Sequence, residues 1–290
     1  MKIASYNIQY GFGQDRKYDL SRIISAVQGN DIICLQEVTT NWPICQFDDQ
    51  PEMIAKQLNY YYAYASGFEM DASSKDDNGR ITNRRAGFGN MVLSRWPIVY
   101  SRSHTLPRPK TVIPQELFPP IDFPRVALET VIIVDGVPLR IISVHLTHLP
   151  GVQMMAQVEF VKSLVFGLSD QLPLWEANPA IEAWTGGQPA PPVPMTTLML
   201  GDFNFTPDSD YHAAMVSLHS KTGAGLIDAQ SLVMPHGQDN LSCVSPDGSM
   251  SKLDYMFVTP CMGDKVTGAR VDMTNLASDH FPIYFDVDVS

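Results

Sequence analysis

The stretch of residues 196–207 constrains the fold and the chemistry of this chain more than any other part of the sequence. Its apolar run at 198–200 predicts a strand inside a buried sheet, and Gly201 ends that strand. Asp202 and Asn204 follow two positions apart, a spacing that places both side chains on one side of an extended backbone. The pair also fits ordinary turn chemistry, because Asp and Asn both favour turns. It indicates a functional site only if residues of matching chemistry end other strands as well.

Polar residues do end other apolar strands. The first predicted strand ends near Asn7, and the second, residues 31–37, ends at Glu37 after a helix that Asp19 caps. A helix between two consecutive strands predicts a parallel pair, so Asn7 and Glu37 should meet at one edge of a sheet. Similar residues occur at the ends of later strands: His145, which follows a hairpin with an Asp-Gly turn, Asp254, and the pair Asp279-His280.

The order of strands and helices predicts an α/β fold of two packed sheets with helices on the outer faces. The whole chain, 1–290, is expected to form one domain. Residues 66–88 are polar and charged and are expected to form a loop at the rim of the site. The Pro-rich stretches 104–124 and 171–195 are expected to be loop insertions, and the latter carries Trp175 and Trp184.

Charge is distributed unevenly along the sequence. The net charge is −11, which disfavours a protein whose main affinity is for a nucleic-acid backbone. The segment 80–125 nevertheless holds eight basic residues against two acidic ones, so it carries +6 and the remainder −17. This pattern favours a compact anionic substrate, although a solvated surface loop would have a similar composition. With no C-x-x-C pair, no apolar run of membrane-spanning length and no signal region, we expect a soluble cytoplasmic protein without disulfides.

The chemistry of these residues favours a hard cation. Carboxylate and amide oxygens without thiolates favour Mg²⁺, with Mn²⁺ as a substitute. A carboxylate beside an imidazole, as in Asp279-His280, can fix the tautomer of the ring. One metal, one oriented base and one further donor are the parts needed for in-line attack of water on phosphorus. Each residue also has an ordinary alternative, such as a structural histidine at His145 or a strand-edge charge at Glu37, and it is their joint occurrence that indicates a site.

Several short blocks resemble the endonuclease/exonuclease/phosphatase superfamily, which includes DNase I-like nucleases, neutral sphingomyelinases and inositol-polyphosphate phosphatases. They follow the family order over nearly the whole chain: Tyr6-Asn7, Leu35-Gln36-Glu37-Val38, Gly89-Asn90 with Arg95, Ser143-Val144-His145, Gly201-Asp202-Phe203-Asn204, Leu253-Asp254-Tyr255 and Ser278-Asp279-His280. The resemblance implies a DNase I-like four-layer α/β/β/α sandwich, built from two mixed sheets, with its active site at one edge. It also implies a metal-dependent hydrolase acting on phosphoric ester bonds.

The resemblance further implies a role for each matching residue. Glu37 and Asn7 would bind the metal, and Asp254 and Asp279 would be further ligands. Asp254 could instead orient a histidine. Water and phosphate would be positioned by Asp202 and Asn204, while Asp279 orients His280 as general base or phosphate-polarising group. The phosphate and the leaving group would be contacted by His145. The further candidates for phosphate binding are Asn90 and Arg125, with Arg84 and Arg85 as weaker ones.

The substrate class depends on two departures from the nuclease pattern. Nucleases of this superfamily often carry a basic residue two places after the metal-binding Glu, and here that residue is Thr39. The acidic body also lacks the charge expected of a DNA-backbone tracker. We therefore expect a small or lipid-like phosphate ester, diester or monoester, in a pocket shaped by the Pro-rich loops. The alternatives are a nuclease on DNA or RNA, whose basic residues would line a groove, and a catalytically silent binding protein. The oligomeric state is left open.

Overall fold

The computed structural model describes residues 1–113, 121–167, 184, 186, 190–234 and 240–289, and structural statements below refer to these residues. Two six-stranded mixed sheets dominate the fold, with strand orders β15-β16-β1-β2-β6-β3 and β11-β14-β10-β9-β8-β7. The strands are β1 Lys2–Asn7, β2 Ile32–Thr40, β3 Tyr61–Asp71, β4 Ser74–Lys75, β5 Ile81–Thr82, β6 Arg85–Ser94, β7 Ile98–Thr105, β8 Val126–Val134, β9 Val137–His145, β10 Thr197–Asp202, β11 Ile227–Asp228, β12 Cys243–Val244, β13 Met250–Ser251, β14 Asp254–Val258, β15 Val266–Val271 and β16 Ile283–Val287.

Four of the described α-helices cover the outer faces of the two sheets, and the short fifth one packs against the central core. The helices are α1 Leu20–Val27, α2 Gln50–Leu58, α3 Val152–Phe166, α4 Asp210–Val216 and α5 Ala229–Val233. The first begins as predicted, because the side chain of Asp19 accepts a hydrogen bond from Ser21 N. The fourth begins after Ser209, whose side chain accepts a hydrogen bond from His212 N.

Strict alternation along the strands produces the four layers. In β1 and β2, Ile3, Ile32 and Cys34 face the second sheet and form the central core with Leu198 and Leu200 of β10. Their neighbours along the strands turn outward, where α1 and α2 cover them. Met199 of β10 likewise turns outward onto α3 and α4. The predicted four-layer α/β/β/α sandwich is confirmed, whereas the single-domain assignment stays a prediction.

The prediction of a rim loop at residues 66–88 is wrong. Most of this segment is strand, because β3 and β6 pair from Tyr61 opposite Ser94 to Asp71 opposite Arg85. β3 is the last strand of its sheet, and much of it is exposed, so its residues need not be apolar. In and beside the first Pro-rich stretch, residues 106–113 and 121–125 contain neither helix nor strand. Trp175 and most of the second stretch, 171–195, lie outside the described residues. None of the described helices is long and apolar enough to cross a membrane.

A fully buried ion pair ties the second sheet to α3. Glu129 and Arg140 are both 0% exposed, and Arg140 Nε donates to Glu129 Oε1 at 2.6 Å. His104 Nε2 lies 2.6 Å from the other carboxylate oxygen, and Arg140 Nη1 donates to the Leu164 carbonyl of α3. Burial alone would raise the pKa of Glu129, but the hydrogen bonds from His104 and Arg140 outweigh it, so the pKa lies below its usual value.

We expect Glu129→Gln to lower the free energy of unfolding by about 3–5 kcal/mol at neutral pH, because Arg140 would then be a buried charge without its partner. A carboxylate with a lowered folded-state pKa stabilises above its unfolded pKa and loses that contribution as the pH falls through the folded value. The difference from the wild type should therefore be full above about pH 5 and shrink on acidification. Denaturant unfolding across pH tests this, with the exposed Glu159→Gln as control; equal stability of both variants would contradict it.

Candidate active site

The predicted catalytic and metal-binding residues meet at one edge of the two packed sheets. Parallel pairing of β1 with β2 and of β9 with β10 brings their carboxyl ends together. In the second sheet, Asp202 lies opposite His145 on one side and opposite Asp254 on the other. Gly201 allows this close approach, because it adopts φ 146° and a Cβ there would overlap the Val144 carbonyl oxygen.

A β-bulge presents Glu37 to the site. The sequence predicts Glu37 at the end of its strand, but β2 continues to Thr40 and its register with β6 shifts between Leu35 and Val38. At the bulge Glu37 adopts φ 58°, in the left-handed region that a non-glycine residue rarely occupies. The extra residue turns the carboxylate out of the sheet and toward the site.

The buried carboxylate of Asp202 lies at the centre of the site. Its Oδ2 accepts from Asn7 Nδ2 at 3.0 Å and lies 3.4 Å from His145 Nε2 and 3.6 Å from His280 Nε2. Asn7 Nδ2 also lies 3.4 Å from Glu37 Oε1, so one amide group contacts two carboxylates. The predicted ligand role of Asn7 needs its oxygen, which here accepts from Gln9 N instead.

The carboxylate that orients His280 is Asp254, not the neighbouring Asp279 that the sequence suggests. Asp254 Oδ2 lies 2.7 Å from His280 Nδ1 and also accepts from Ser242 Oγ at 2.7 Å. Asp279 Oδ2 accepts from Gln9 Nε2 at 2.7 Å, and its Oδ1 accepts from Ser278 Oγ. The Asp279 carboxylate is thus held by Gln9 and Ser278, whereas the first residue of β14 places the Asp254 carboxylate against the ring.

Two further predicted residues also differ from expectation. Asn90 Nδ2 donates to the Val126 and Ser143 carbonyls, so its amide joins the two sheets and has no hydrogen left for a phosphate. The Asn204 amide donates to the Leu146 carbonyl, and its backbone N–H donates to Asp202 Oδ1. Asn204 thereby braces the end of β10 beside the central carboxylate.

Burial and charge shift the titration of these groups strongly. Burial, followed by the negative charge of Asp279, raises the pKa of Glu37 to about 7. Burial also raises the pKa of Asp202 to about 6, although the nearby His280 opposes the shift. For His145, burial and then the charge of Arg125 hold the pKa well below its usual value. Burial would lower the pKa of His280 too, but the carboxylate of Asp254 above all outweighs it and the pKa is well above normal.

These carboxylates fit a hard divalent cation. Glu37 and Asp279 lie close enough for the charge of Asp279 to raise the pKa of Glu37, and a cation between them would relieve that repulsion. A second group, Asp202, Asp254 and His280, has ligand atoms within 4.8 Å of one another, and Asp254 Oδ1 is buried without a hydrogen-bond partner. In that group the 2.7 Å contact of His280 with Asp254 already uses one ring nitrogen.

Gln9 and Gln50, which the sequence did not mark, both support the site; Gln9 does so through its hydrogen bond to Asp279. Gln50 is fully buried and accepts from Thr39 N at 2.8 Å while donating to the Tyr10 carbonyl at 2.8 Å. It thus joins the segment after the Glu37 bulge to the loop that carries Gln9, where Gln9 and Tyr10 have positive φ of 43° and 44°. Gln50 is the first residue of α2, and no local sequence pattern marks it as part of a site.

We expect Gln50→Met to weaken Mn²⁺ binding and turnover by about 10- to 100-fold, because the bulge and the loop would lose their shared support. Electron paramagnetic resonance titration of Mn²⁺ and steady-state kinetics measure this. The control is Gln28→Met, an exposed substitution at the end of α1. A lower melting temperature with unchanged Mn²⁺ affinity would show that Gln50 only stabilises the fold.

Comparisons with known proteins identify the fold and the family of this chain. The sequence profile of the endonuclease/exonuclease/phosphatase family matches residues 4–280, while no curated protein matches the sequence. A family protein from Leptotrichia buccalis C-1013-b is 17% identical, with a TM-score of 0.63 over 99% of both chains. A mannosyl-6-phosphatase from Bacteroides thetaiotaomicron VPI-5482 is 16% identical, with a TM-score of 0.61 over 99% of both chains.

A 3′ phosphatase from Neisseria, bound to a product DNA hairpin, is 17% identical with a TM-score of 0.55 over 99% of both chains. At such identities the structural likeness establishes the fold, and the profile match over residues 4–280 establishes the family. This chain belongs to the endonuclease/exonuclease/phosphatase family and is a phosphoester hydrolase.

Proposed function

We propose that this protein hydrolyses a compact phosphate ester by in-line attack of water, with Mg²⁺ or Mn²⁺ as its cofactor. The observation that carries the proposal is the position of the basic residues in segment 80–125. A polymer-binding enzyme needs them along a groove, whereas a compact substrate needs positive charge beside the reacting phosphate. Among the described residues of this segment, Arg125 is the one that contacts the site.

Arg125 has the surroundings of an anion-binding residue. Its Nη1 lies 3.0 Å from both ring nitrogens of His145, and the side chain is buried. Its Nε is buried without a hydrogen-bond partner, which leaves a donor unused. A phosphate oxygen would satisfy that donor and place a negative charge where burial otherwise disfavours the cation.

Other basic residues of the segment are engaged elsewhere. Arg95 pairs with Asp31, which precedes β2 and therefore lies at the opposite edge of the sheet from Glu37. Arg85 lies beside Asp71, and Arg108 donates to Asp122. Arg102 stacks on Tyr100 of β7. Several basic residues of the +6 segment are therefore already paired with acids or stacked on a ring. Because these residues are engaged away from the site, their positions support a compact substrate.

The cation would be held by the carboxylates of Glu37 and Asp279. When bound, it would supply a positive charge that polarises the phosphoryl oxygens. The chain's own residues would do the rest. Gln9 fixes Asp279 at 2.7 Å, and the amide of Asn7 separates Glu37 from Asp202. Asp202 is our candidate for orienting the attacking water, and Asn204 would hold the Asp202 carboxylate in place through its backbone N–H.

His280 would act as a hydrogen-bond donor to the phosphoryl group. Paired with Asp254 at 2.7 Å, it keeps its proton at neutral pH, and its Nε2 faces the centre of the site. His145 stays neutral beside Arg125, so one ring nitrogen accepts from the guanidinium and the one N–H is available to the Asp202 carboxylate. This assignment favours the phosphate-polarising role of His280 over the role of general base.

The pairing of Asp254 with His280 predicts a non-additive result. His280→Ala should lower kcat by about 10²- to 10³-fold, as removal of one donor to a developing charge typically does. Asp254→Asn should lower it similarly, and the double variant should be little worse than either, because Asp254 acts through His280. Asp279→Asn should instead raise the Mg²⁺ concentration needed for half-maximal rate. If Asp279→Asn behaved like His280→Ala and Asp254→Asn did not, the assignment of the two carboxylates would be wrong.

The role of Arg125 predicts a charge-dependent loss of activity. Arg125→Gln should lower kcat/KM by about 10²-fold on any phosphate ester that the enzyme cleaves, and Arg125→Lys should restore part of it. Arg102→Gln, which removes a half-buried arginine of the same segment from the edge strand β7, should stay within about twofold. A larger loss in Arg102→Gln than in Arg125→Gln would favour a basic groove and hence a nucleic-acid substrate.

A further inference from the structure

Aromatic side chains continue from the site toward the surface on the Arg125 side. We refer to Trp42, Phe68, Phe88 and Phe123 as the aromatic patch. The ring centroid of Phe88 lies 6.5 Å from that of His145 and 5.5 Å from that of Phe123. Phe123 stacks on Phe68 at 5.0 Å, and Trp42 meets Phe68 edge to face at 6.0 Å. The rings thus form a continuous wall that starts at a histidine of the site.

The aromatic patch lies largely at the surface, and Phe88 is the one buried ring of the four. None of its four residues belongs to the three apolar cores formed by the described residues. Phe88 is 7% exposed, while Trp42, Phe68 and Phe123 are only half-buried. The rings come from separate segments: the loop after β2, the strands β3 and β6, and the residues before Arg125. Their convergence beside a polar site is not explained by core packing.

The aromatic patch begins where the phosphate would be bound. The guanidinium of Arg125 lies 5.9 Å from the Phe88 ring centroid as well as 3.0 Å from His145. A small recess lies between them, lined among others by Gly67, Phe88, Pro124, Arg125 and His145. A phosphoryl group held by Arg125 and His145 would therefore direct one ester substituent along this wall.

We propose that the aromatic patch is the binding subsite for the organic group of the ester, and that this group is planar and aromatic. The inference rests on the proposed function and adds the substrate class to it. Ring faces and edges favour stacking with another aromatic ring. A sugar would need several hydrogen-bond partners, and the four side chains offer one polar group, the indole N–H of Trp42. An aryl ester and the base of a mononucleotide share the required chemistry.

Binding of non-hydrolysable ligands tests the subsite separately from catalysis. We would measure the Kd of phenylphosphonate, hexylphosphonate and methylphosphonate by calorimetry in Mg²⁺ for the wild type, Phe68→Ala and Phe123→Ala. The wild type should bind phenylphosphonate about fivefold to tenfold more tightly than methylphosphonate, and hexylphosphonate less tightly than phenylphosphonate. Each variant should lose most of the phenyl preference while keeping the Kd of methylphosphonate within about twofold.

The control variant is Phe160→Ala, which removes a half-buried ring from α3 on the outer face of the second sheet. It should leave the relative Kd values of the three phosphonates unchanged. Comparing adenosine 5′-monophosphate with ribose 5-phosphate distinguishes a nucleobase from a simple arene as the preferred ring. Equal affinity for phenyl and hexyl groups, or a phenyl preference that survives both alanine variants, would overturn the proposal.

Hydrolysis of phenyl phosphate and of glycerol phosphate distinguishes the proposed subsite from the proposed function. A phenyl preference in binding without turnover of either ester would leave the subsite standing and contradict the proposed function. Turnover of both esters, with both alanine variants slowing them equally, would support the proposed function and contradict the subsite.

Discussion

The carboxylate of Asp202 is buried between the two sheets, and the rest of the site depends on satisfying it. A carboxylate that is 1% exposed requires donors, and its Oδ2 is approached by groups of both sheets: Asn7 from the first and His145 from the second. His280, next to the start of β16, is the third. Because these three groups come from different strands and loops, their contacts with Asp202 constrain how the edges of the two sheets face each other. A polar interaction thus adds to the constraint from the apolar core.

Local strain accompanies this geometry. Glu37, Gln9, Tyr10 and Asn204 all adopt positive φ, and all lie within or beside the site. Such conformations cost about 1–3 kcal/mol each and persist only where the surroundings hold them. Here Gln50 and the side chains of Asn7 and Asp202 supply hydrogen bonds to the backbone of these segments. These hydrogen bonds support the strained backbone of the site from several sides, an arrangement that suits preorganised catalysis.

Sequence patterns predicted the fold well, and the structure brings most of the candidate site residues together, but their pairing differs from the prediction. Apolar alternation identified the core strands, and the rule that the carboxyl ends of parallel strands meet at one edge correctly predicted that Asn7 lies beside Glu37. The parallel pairing that brings His145 beside Asp202 was not predicted. Adjacency in sequence misled for Asp279, since the partner of His280 comes from β14, 26 residues away. The bulge at Glu37, the inter-sheet role of Asn90 and the clamp by Gln50 depend on tertiary contacts that no local pattern encodes.

The distribution of charge connects the site to its substrate. One buried arginine beside the histidines supplies positive charge where a phosphate would react, while Arg95 and Arg108 are already paired with acids. An acidic body with one concentrated positive point attracts a small anion more effectively than a long polyanion. The aromatic wall next to that point is consistent with the same substrate size.

The central claim is that a divalent cation held at Glu37 drives hydrolysis of a compact ester. The most direct test incubates the protein with bis(p-nitrophenyl) phosphate and, separately, with supercoiled plasmid, in Mg²⁺, in Mn²⁺ and in EDTA, beside Glu37→Ala. We expect cleavage of the small diester that EDTA and Glu37→Ala abolish, with the plasmid left intact. Rapid plasmid nicking with the same metal and Glu37 dependence, or diester cleavage that persists in EDTA, would contradict the account.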